Sequence, residues 1–193
     1  MIGDALGVAP EDRADLLRWS DGMLSALTGD PSTIEAATEA FVGYTEYAGR
    51  VIEQRRADPQ DDLMSVLVHA EVDGDRLDHD SLIHESLLIL IGGDETTRHV
   101  IFGGGYQLLA DRRHWERLLA DRSGHPLAVE EMLRWVTPIK NMARQATRDV
   151  ELHGQRIEEG EKLLLLYSSA NRDESVFDDP FTFDPTRDPN DHV

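Results

Sequence analysis

The chain has no cysteine among its 193 residues. That absence excludes disulfides, thiolate zinc sites and cysteine nucleophiles together. It also has no run of about 18 apolar residues without charge, so no membrane span is expected. Basic residues are scarce beside acidic ones, 19 Lys and Arg against 38 Asp and Glu, and the formal net charge is −19. A surface of that sign repels nucleic acid and anionic lipid, and neither is expected as a partner. Met1 is not followed by a basic segment, an apolar stretch and a small-residue cleavage site, so no signal peptide is read and a cytoplasmic location is expected. His84-Glu85 would open a His-Glu-x-x-His zinc pattern, but Leu88 stands where the second histidine is needed. Serine nucleophile elbows, phosphate loops, internal repeats and low-complexity tracts are absent too.

What is present reads as one soluble domain, mainly α, with a small antiparallel β-sheet near its end. Apolar content of 40% and charged content of 30% are ordinary for such a protein. After Pro10, the residues Leu16, Leu17, Met23, Leu24 and Leu27 recur at helical spacing. Gly29-Asp30-Pro31 ends that helix and starts another, with Asp30 as N-cap, and the second continues to Arg55-Arg56 before the Asp58-Pro59 break. A short helix around Leu63, Val66 and Leu67 precedes a turn at Asp73-Gly74-Asp75.

A long helix is expected from near Asp78 towards Ala110, about 30 residues and so roughly 45 Å. Its centre, Leu87 to Ile91, is apolar on every side, which implies burial on every side. Gly103-Gly104-Gly105 marks a place for a bend or an early end. Two shorter helices follow, one around Trp115, Leu118 and Leu119 and one from about Leu127 to Trp135. Ile139 to Ala146, Val150 to Leu152 and Leu163 to Tyr167 read as strands, and Pro180, Pro185 and Pro189 forbid regular structure in the tail.

The stretch that organises the chain is Gly92-Gly93-Asp94-Glu95-Thr96-Thr97, in the middle of the long helix. Each glycine there costs about 1 kcal/mol relative to alanine, so something must use the space. Glycine admits a flat ligand or another backbone, and a Thr hydroxyl can turn back onto the carbonyl one turn earlier. A carboxylate beside an alcohol can pass protons into a buried centre. Further on, Glu131 and Arg134 lie three apart and face the same way on a helix.

The first of these segments resembles the oxygen-activating helix of the cytochrome P-450 haem-thiolate monooxygenases, whose pattern is Ala/Gly-Gly-x-Asp/Glu-Thr-Thr/Ser. Gly92, Gly93, Glu95, Thr96 and Thr97 fill every specified place. Glu131 and Arg134 fit that family's Glu-x-x-Arg pair, which locks onto an arginine in a Phe-x-Pro-x-Arg segment, here Phe183-Asp184-Pro185-Thr186-Arg187. The resemblance implies a partial cytochrome P-450 fold over residues 1–193, built around the long helix, and haem b as cofactor. Glu95 would then supply protons from solvent, and Thr96 would direct the second one to the distal oxygen atom. Gly92, Gly93 and Thr97 would lie along the cofactor, and Arg144 and His192 would hydrogen-bond its two propionates. Ile139, Lys140, Asn141 and Met142 would face a small hydrophobic substrate. Asn171-Arg172-Asp173 is similar to the segment leading to the haem loop, with Glu174 where proline is commoner.

The implied reaction inserts one oxygen atom of O₂ into the substrate and reduces the other to water. Electrons would come from a ferredoxin and its NAD(P)H-dependent reductase. Gly-Gly-Asp-Glu-Thr-Thr-Arg-His, Lys140-Asn141-Met142 and Ala170-Asn171 look most like actinobacterial members that hydroxylate sterol side chains. The family's Phe-Gly-x-Gly-x-His/Arg-x-Cys loop, whose cysteine ligates the haem iron, would begin where the chain reads Asp191-His192-Val193. The axial cysteine is therefore expected beyond Val193, no metal ligand is expected within the chain, and the chain alone is expected to be inactive. Two other classes stay open: a degenerate, non-catalytic helical scaffold or partner-binding protein, and an acidic helical protein unrelated to haem.

Overall fold

Turn-forming and capping residues mark where the helices begin. The computed structural model describes residues 2–193. A first turn, α1 (Ile2–Ala5), is followed by a 3₁₀ turn at Pro10–Asp12 and α2 (Arg13–Ser25). The Asp30 carboxylate accepts from the Ser32 N–H, and a 3₁₀ turn at Pro31–Thr33 leads into α3 (Ile34–Ala57). Asp62 caps α4 (Leu63–His69) by accepting from the Ser65 N–H, which satisfies one of the orphan donors of a helix start. Then come α5 (His79–Ala110), α6 (Arg112–Ala120, capped by Asp111) and α7 (His125–Val136). Strands β1 (Met142–Gln145), β2 (Val150–Leu152), β3 (Gln155–Ile157) and β4 (Lys162–Leu165) precede a last helical turn, α8 (Tyr167–Ala170). No helix among the described residues is long and apolar enough to cross a membrane.

The chain forms two compact units, Met1–Glu95 and Thr96–Val193, and the division falls within α5. In the first unit, α2 and α3 pack closely with α4 and the start of α5 around Leu16, Tyr44, Ile52, Met64, Leu82 and Leu90. Gly43 makes the approach of α2 possible, because a Cβ there would lie 2.5 Å from Trp19 Nε1. One buried polar bond crosses this core: the Tyr44 hydroxyl donates to Ser86 Oγ at 2.8 Å, and Ser86 donates to the Ile83 carbonyl at 2.9 Å. Burial pushes the Tyr44 phenol up to about 12. Arg55 joins α3 to two loops, donating to Asp62 at 2.7 Å and to the Gly7 carbonyl at 3.1 Å.

The second unit has its own apolar cluster, Leu108, Leu118, Ala128 and Phe183, with Met132 and Trp135 against it. Its strands form two separate ladders. β1 pairs with β4, placing Arg144 opposite Leu163, and β2 pairs with β3 across the His153-Gly154 turn, where both residues have positive φ.

Several expectations are revised here. The strand β3 was not anticipated, because Gln155-Arg156-Ile157 shows no apolar alternation. Among the described residues there are two two-stranded sheets where the sequence reading expects one. The first strand is shorter than Ile139 to Ala146, and Tyr167 opens α8 instead of closing a strand. Helix α5 neither bends into another conformation nor stops at Gly103-Gly104-Gly105; it runs on to Ala110. The glycines serve close packing instead, since a Cβ on Gly103 would lie 2.7 Å from Val136 Cγ2 and one on Gly104 2.4 Å from Met132 Cγ. Nor is α5 buried all round, for Leu88 is 65% exposed and Phe102 70%.

Candidate functional site

Helix α7 places Glu131 and Arg134 one turn apart, and both side chains are fully buried. Arg134 grips the carboxylate with two parallel bonds, Nε to Oε2 at 2.7 Å and Nη2 to Oε1 at 2.8 Å. That fork-to-carboxylate geometry is the strongest ordinary side-chain pairing. Arg187, in the irregular tail, adds Nε to Glu131 Oε2 at 3.1 Å. The Asp184 N–H donates to Oε1 at 2.9 Å and the Asn190 amide to Oε2 at 3.1 Å. One carboxylate thus accepts five hydrogen bonds.

The cations are satisfied as well. Arg134 donates to the carbonyls of Asn171, Pro180 and Thr182, and Arg187 to those of Asp178, Asp179 and Thr182. A buried charge cluster is expensive to desolvate, and it persists only when its polar atoms are paired in this way. The structure therefore brings Glu131, Arg134 and Arg187 together, and the proline-rich tail is moulded around them.

Four participants were not assigned a role from the sequence. Arg172 donates to the carbonyls of Arg134 and Trp135 and lies over the Trp135 ring, 4.5 Å from its centroid. Asn190 reaches Glu131 Oε2 from the tail. Thr137 ends α7 in the left-handed region, φ 43°, and its hydroxyl returns to the Arg134 carbonyl at 2.7 Å. Asn171 is fully buried, and its side chain bonds Thr137 and both backbone groups of Val193. The available signal was an asparagine standing between the last apolar strand and a proline-rich tail, where an amide can act as a local backbone substitute.

The central stretch lies on α5, which is α-helical throughout Ile91–Thr97 with no widened turn. Its two glycines have different surroundings. A Cβ on Gly92 would meet no atom within 4 Å, whereas one on Gly93 would lie 2.7 Å from Ile2 Cδ1. Gly92 thus offers an open face, while Gly93 is where α1 closes on the helix. Glu95, Thr96 and Thr97 follow, all half-buried.

The remaining predicted residues are more dispersed. Arg144 is exposed on β1, and its Nη1 donates to the Ala143 carbonyl at 3.0 Å. His192 Nε2 lies 2.8 Å from Glu130 Oε2, so its ring is docked on the middle of α7. Ile139, Lys140, Asn141 and Met142 are all exposed. The Lys140 ammonium turns back onto the Val136 carbonyl, which suits a cation at a helix C-terminus. No group of three metal-ligating side chains occurs among the described residues.

Comparison with known proteins places this geometry in a class of haem enzymes. The family model for cytochrome P450 matches residues 126–190, the span that holds the buried network. The Steroid C26-monooxygenase of Mycolicibacterium smegmatis is 51% identical, over 100% of this chain and 49% of that protein. A Methyl-branched lipid omega-hydroxylase of Mycobacterium bovis is 38% identical, over 100% of this chain and 46% of its own length. The structure of CYP109E1 from Bacillus megaterium in complex with testosterone superposes with a TM-score of 0.89 at 34% identity, covering 99% of this chain and 52% of that one. Over its whole length the chain is similar to members of the cytochrome P450 family. It spans about half the length of the curated relatives it matches.

Proposed function

We propose that residues 1–193 are one central portion of a cytochrome P450 domain whose parent protein hydroxylates a hydrophobic substrate, specifically a sterol or steroid side chain. The observation that carries this reading is the 51% identity, over the full chain, to a Steroid C26-monooxygenase. The reaction consumes O₂, two electrons and two protons, yielding an alcohol and water. A ferredoxin with its NAD(P)H-dependent reductase supplies the electrons in this reading, and the protein works in the cytoplasm.

The residues of the chain fit a haem in two respects. The open face at Gly92 admits a flat macrocycle beside α5. The Arg144 guanidinium, exposed and engaging only one neighbouring carbonyl through Nη1, has further N–H groups suited to a propionate. His192 joins it in this reading by giving up Glu130 for the second propionate, and Thr97 is taken to lie along the cofactor. When bound, the haem supplies the site at which O₂ is taken up and activated. The chain has no cysteine, so it does not itself provide a thiolate ligand and is inactive alone.

Within this reading the chain's own groups manage protons and shape. Glu95 takes protons from solvent and passes them to the Thr96 hydroxyl, which holds one donor at a fixed place on α5. Glu131, Arg134 and Arg187 do not react; they keep the tail against α7 and so keep His192 in reach of the cofactor. Ile139 to Met142 border the substrate. The test is to express the reading frame that contains this chain, record the carbon monoxide difference spectrum of the reduced protein, and assay sterols with ferredoxin and reductase. A haem-thiolate spectrum with terminal hydroxylation of a sterol side chain is expected. A protein that binds no haem would overturn the reading.

A further inference from the structure

Past α8 the chain contains no further helix or strand, so residues 171–193 owe their course to individual side chains. Asn171 is the most enclosed of these, with 0% of its surface exposed. Its amide behaves as a peptide group turned sideways. Oδ1 accepts from the Val193 N–H at 2.9 Å and Nδ2 donates to the Val193 carbonyl at 3.2 Å, the two-way pairing of neighbouring strand residues. The same Nδ2 donates to Thr137 Oγ1 at 3.0 Å.

Asn171 is itself immobilised. Its N–H donates to the Tyr167 carbonyl at 2.9 Å, and its own carbonyl accepts from Arg134 at 2.7 Å and from Arg172 at 3.1 Å. Thr137 is pinned by its left-handed backbone and its bond to the Arg134 carbonyl. The amide is therefore a fixed reference point tied to the buried charge network, and it reads the backbone of the residue next to His192. No other side chain meets these demands. Aspartate lacks the two donations, glutamine is one methylene too long, and an aliphatic side chain leaves Thr137 and Val193 without those bonds.

We propose that Asn171 is a positioning residue: it fixes the backbone at Val193 and thereby sets where the His192 ring can reach. The functional meaning rests on the haem reading of His192 given above, but the positioning can be measured without haem. An amide outside helices and strands ordinarily exchanges its hydrogen with little protection.

The experiment is hydrogen exchange by NMR on the protein expressed from the full reading frame that contains this chain, comparing wild type with Asn171→Ala and Asn171→Asp, with urea midpoints measured alongside. In the wild type the Val193 amide is expected to be protected at least tenfold over an unstructured peptide. Asn171→Ala is expected to remove that protection while amides in the middle of α7 keep theirs. Asn171→Asp retains the accepting oxygen, so it is expected to keep the Val193 amide protected while losing the hydrogen bond to Thr137. That selective rescue is not expected of a residue that merely fills space. A wild-type Val193 amide exchanging at the unprotected rate would overturn the proposal however the variants fold, as would equal protection in wild type and Asn171→Ala. Protection at Val193 in a parent protein that binds no haem would leave the positioning intact and remove only its catalytic purpose.

Discussion

Gly92 and Gly93 are neighbours in sequence, yet they answer to different demands. Alanine at Gly93 would put a methyl 2.7 Å from Ile2 Cδ1, so the Ile2 side chain must shift, and that overpacking offsets the helix-propensity gain of about 1 kcal/mol. Alanine at Gly92 meets no atom within 4 Å, and helix propensity alone favours it by roughly 1 kcal/mol. Chemical unfolding should therefore show a higher urea midpoint for Gly92→Ala than for Gly93→Ala. Haem affinity of the parent protein should respond the other way round, falling for Gly92→Ala. Thr96→Ala is expected to leave the fold intact and to uncouple the parent enzyme, so that reductant is consumed and hydrogen peroxide released in place of hydroxylated product. Unchanged coupling, measured as product formed per NAD(P)H oxidised, would remove Thr96 from the proton path.

The residue pattern made these positions legible, because two glycines before an acid and two threonines are costly in a helix and need a reason. It could not assign the glycines to different partners. Ile2 lies in a stretch with little periodicity, and only the folded chain brings it to α5.

At the scale of elements, α3 and α5 are joined by a hydroxyl-to-hydroxyl bond in an otherwise apolar core. Burial holds the Tyr44 phenol neutral up to about 12, whereas an unfolded tyrosine ionises near 10. A group whose folded value is raised contributes stability that is complete below the unfolded value and is lost as pH rises through the folded one. The first unit should accordingly lose roughly 2–3 kcal/mol between about pH 10 and 12. Tyr44→Phe should flatten this alkaline limb at only about 1 kcal/mol of cost near neutral pH, and urea midpoints taken across that range read both effects. Serine at 86 keeps its own bond to the Ile83 carbonyl in that variant, so no buried hydroxyl is orphaned.

Helix positions were read well from apolar spacing and from Asp30 and the prolines. The triple glycine misled, because a glycine that loosens an isolated helix also lets a second helix touch its backbone. Gly103 and Gly104 serve Val136 and Met132 in that way. The strand β3 and the split into two ladders escaped because three-residue strands carry almost no pattern.

For the molecule as a whole, the Glu131 cluster is the point of greatest leverage. Removing Arg134 leaves a buried carboxylate with one guanidinium fewer and releases the carbonyls of Asn171, Pro180 and Thr182, so Arg134→Ala should cost about 3–5 kcal/mol. Glu131→Gln should be comparably damaging, since an amide cannot accept all five bonds and its NH₂ faces donors. Both variants should show early thermal unfolding of the second unit, and in the parent protein both should lose haem. A thermal midpoint within a degree or two of wild type would contradict the energetic role given to the cluster. The Glu-x-x-Arg spacing was visible from the start, but its burial was not, because the same spacing on most helices is a solvated pair worth a few tenths of a kcal/mol. What buries it is the tail, whose geometry no local pattern encodes.

The way that tail is held also orders events in time. Its anchors reach back 37, 46, 53, 56 and 59 residues, to Arg134 and Glu131, and none is a local ladder that could form before those residues are in place. Contacts so distant in sequence carry a loop-closure cost that must be met before they return anything. Residues 171–193 should consequently be the last part of the second unit to settle and the first to let go, with α7 as the template on which they are cast.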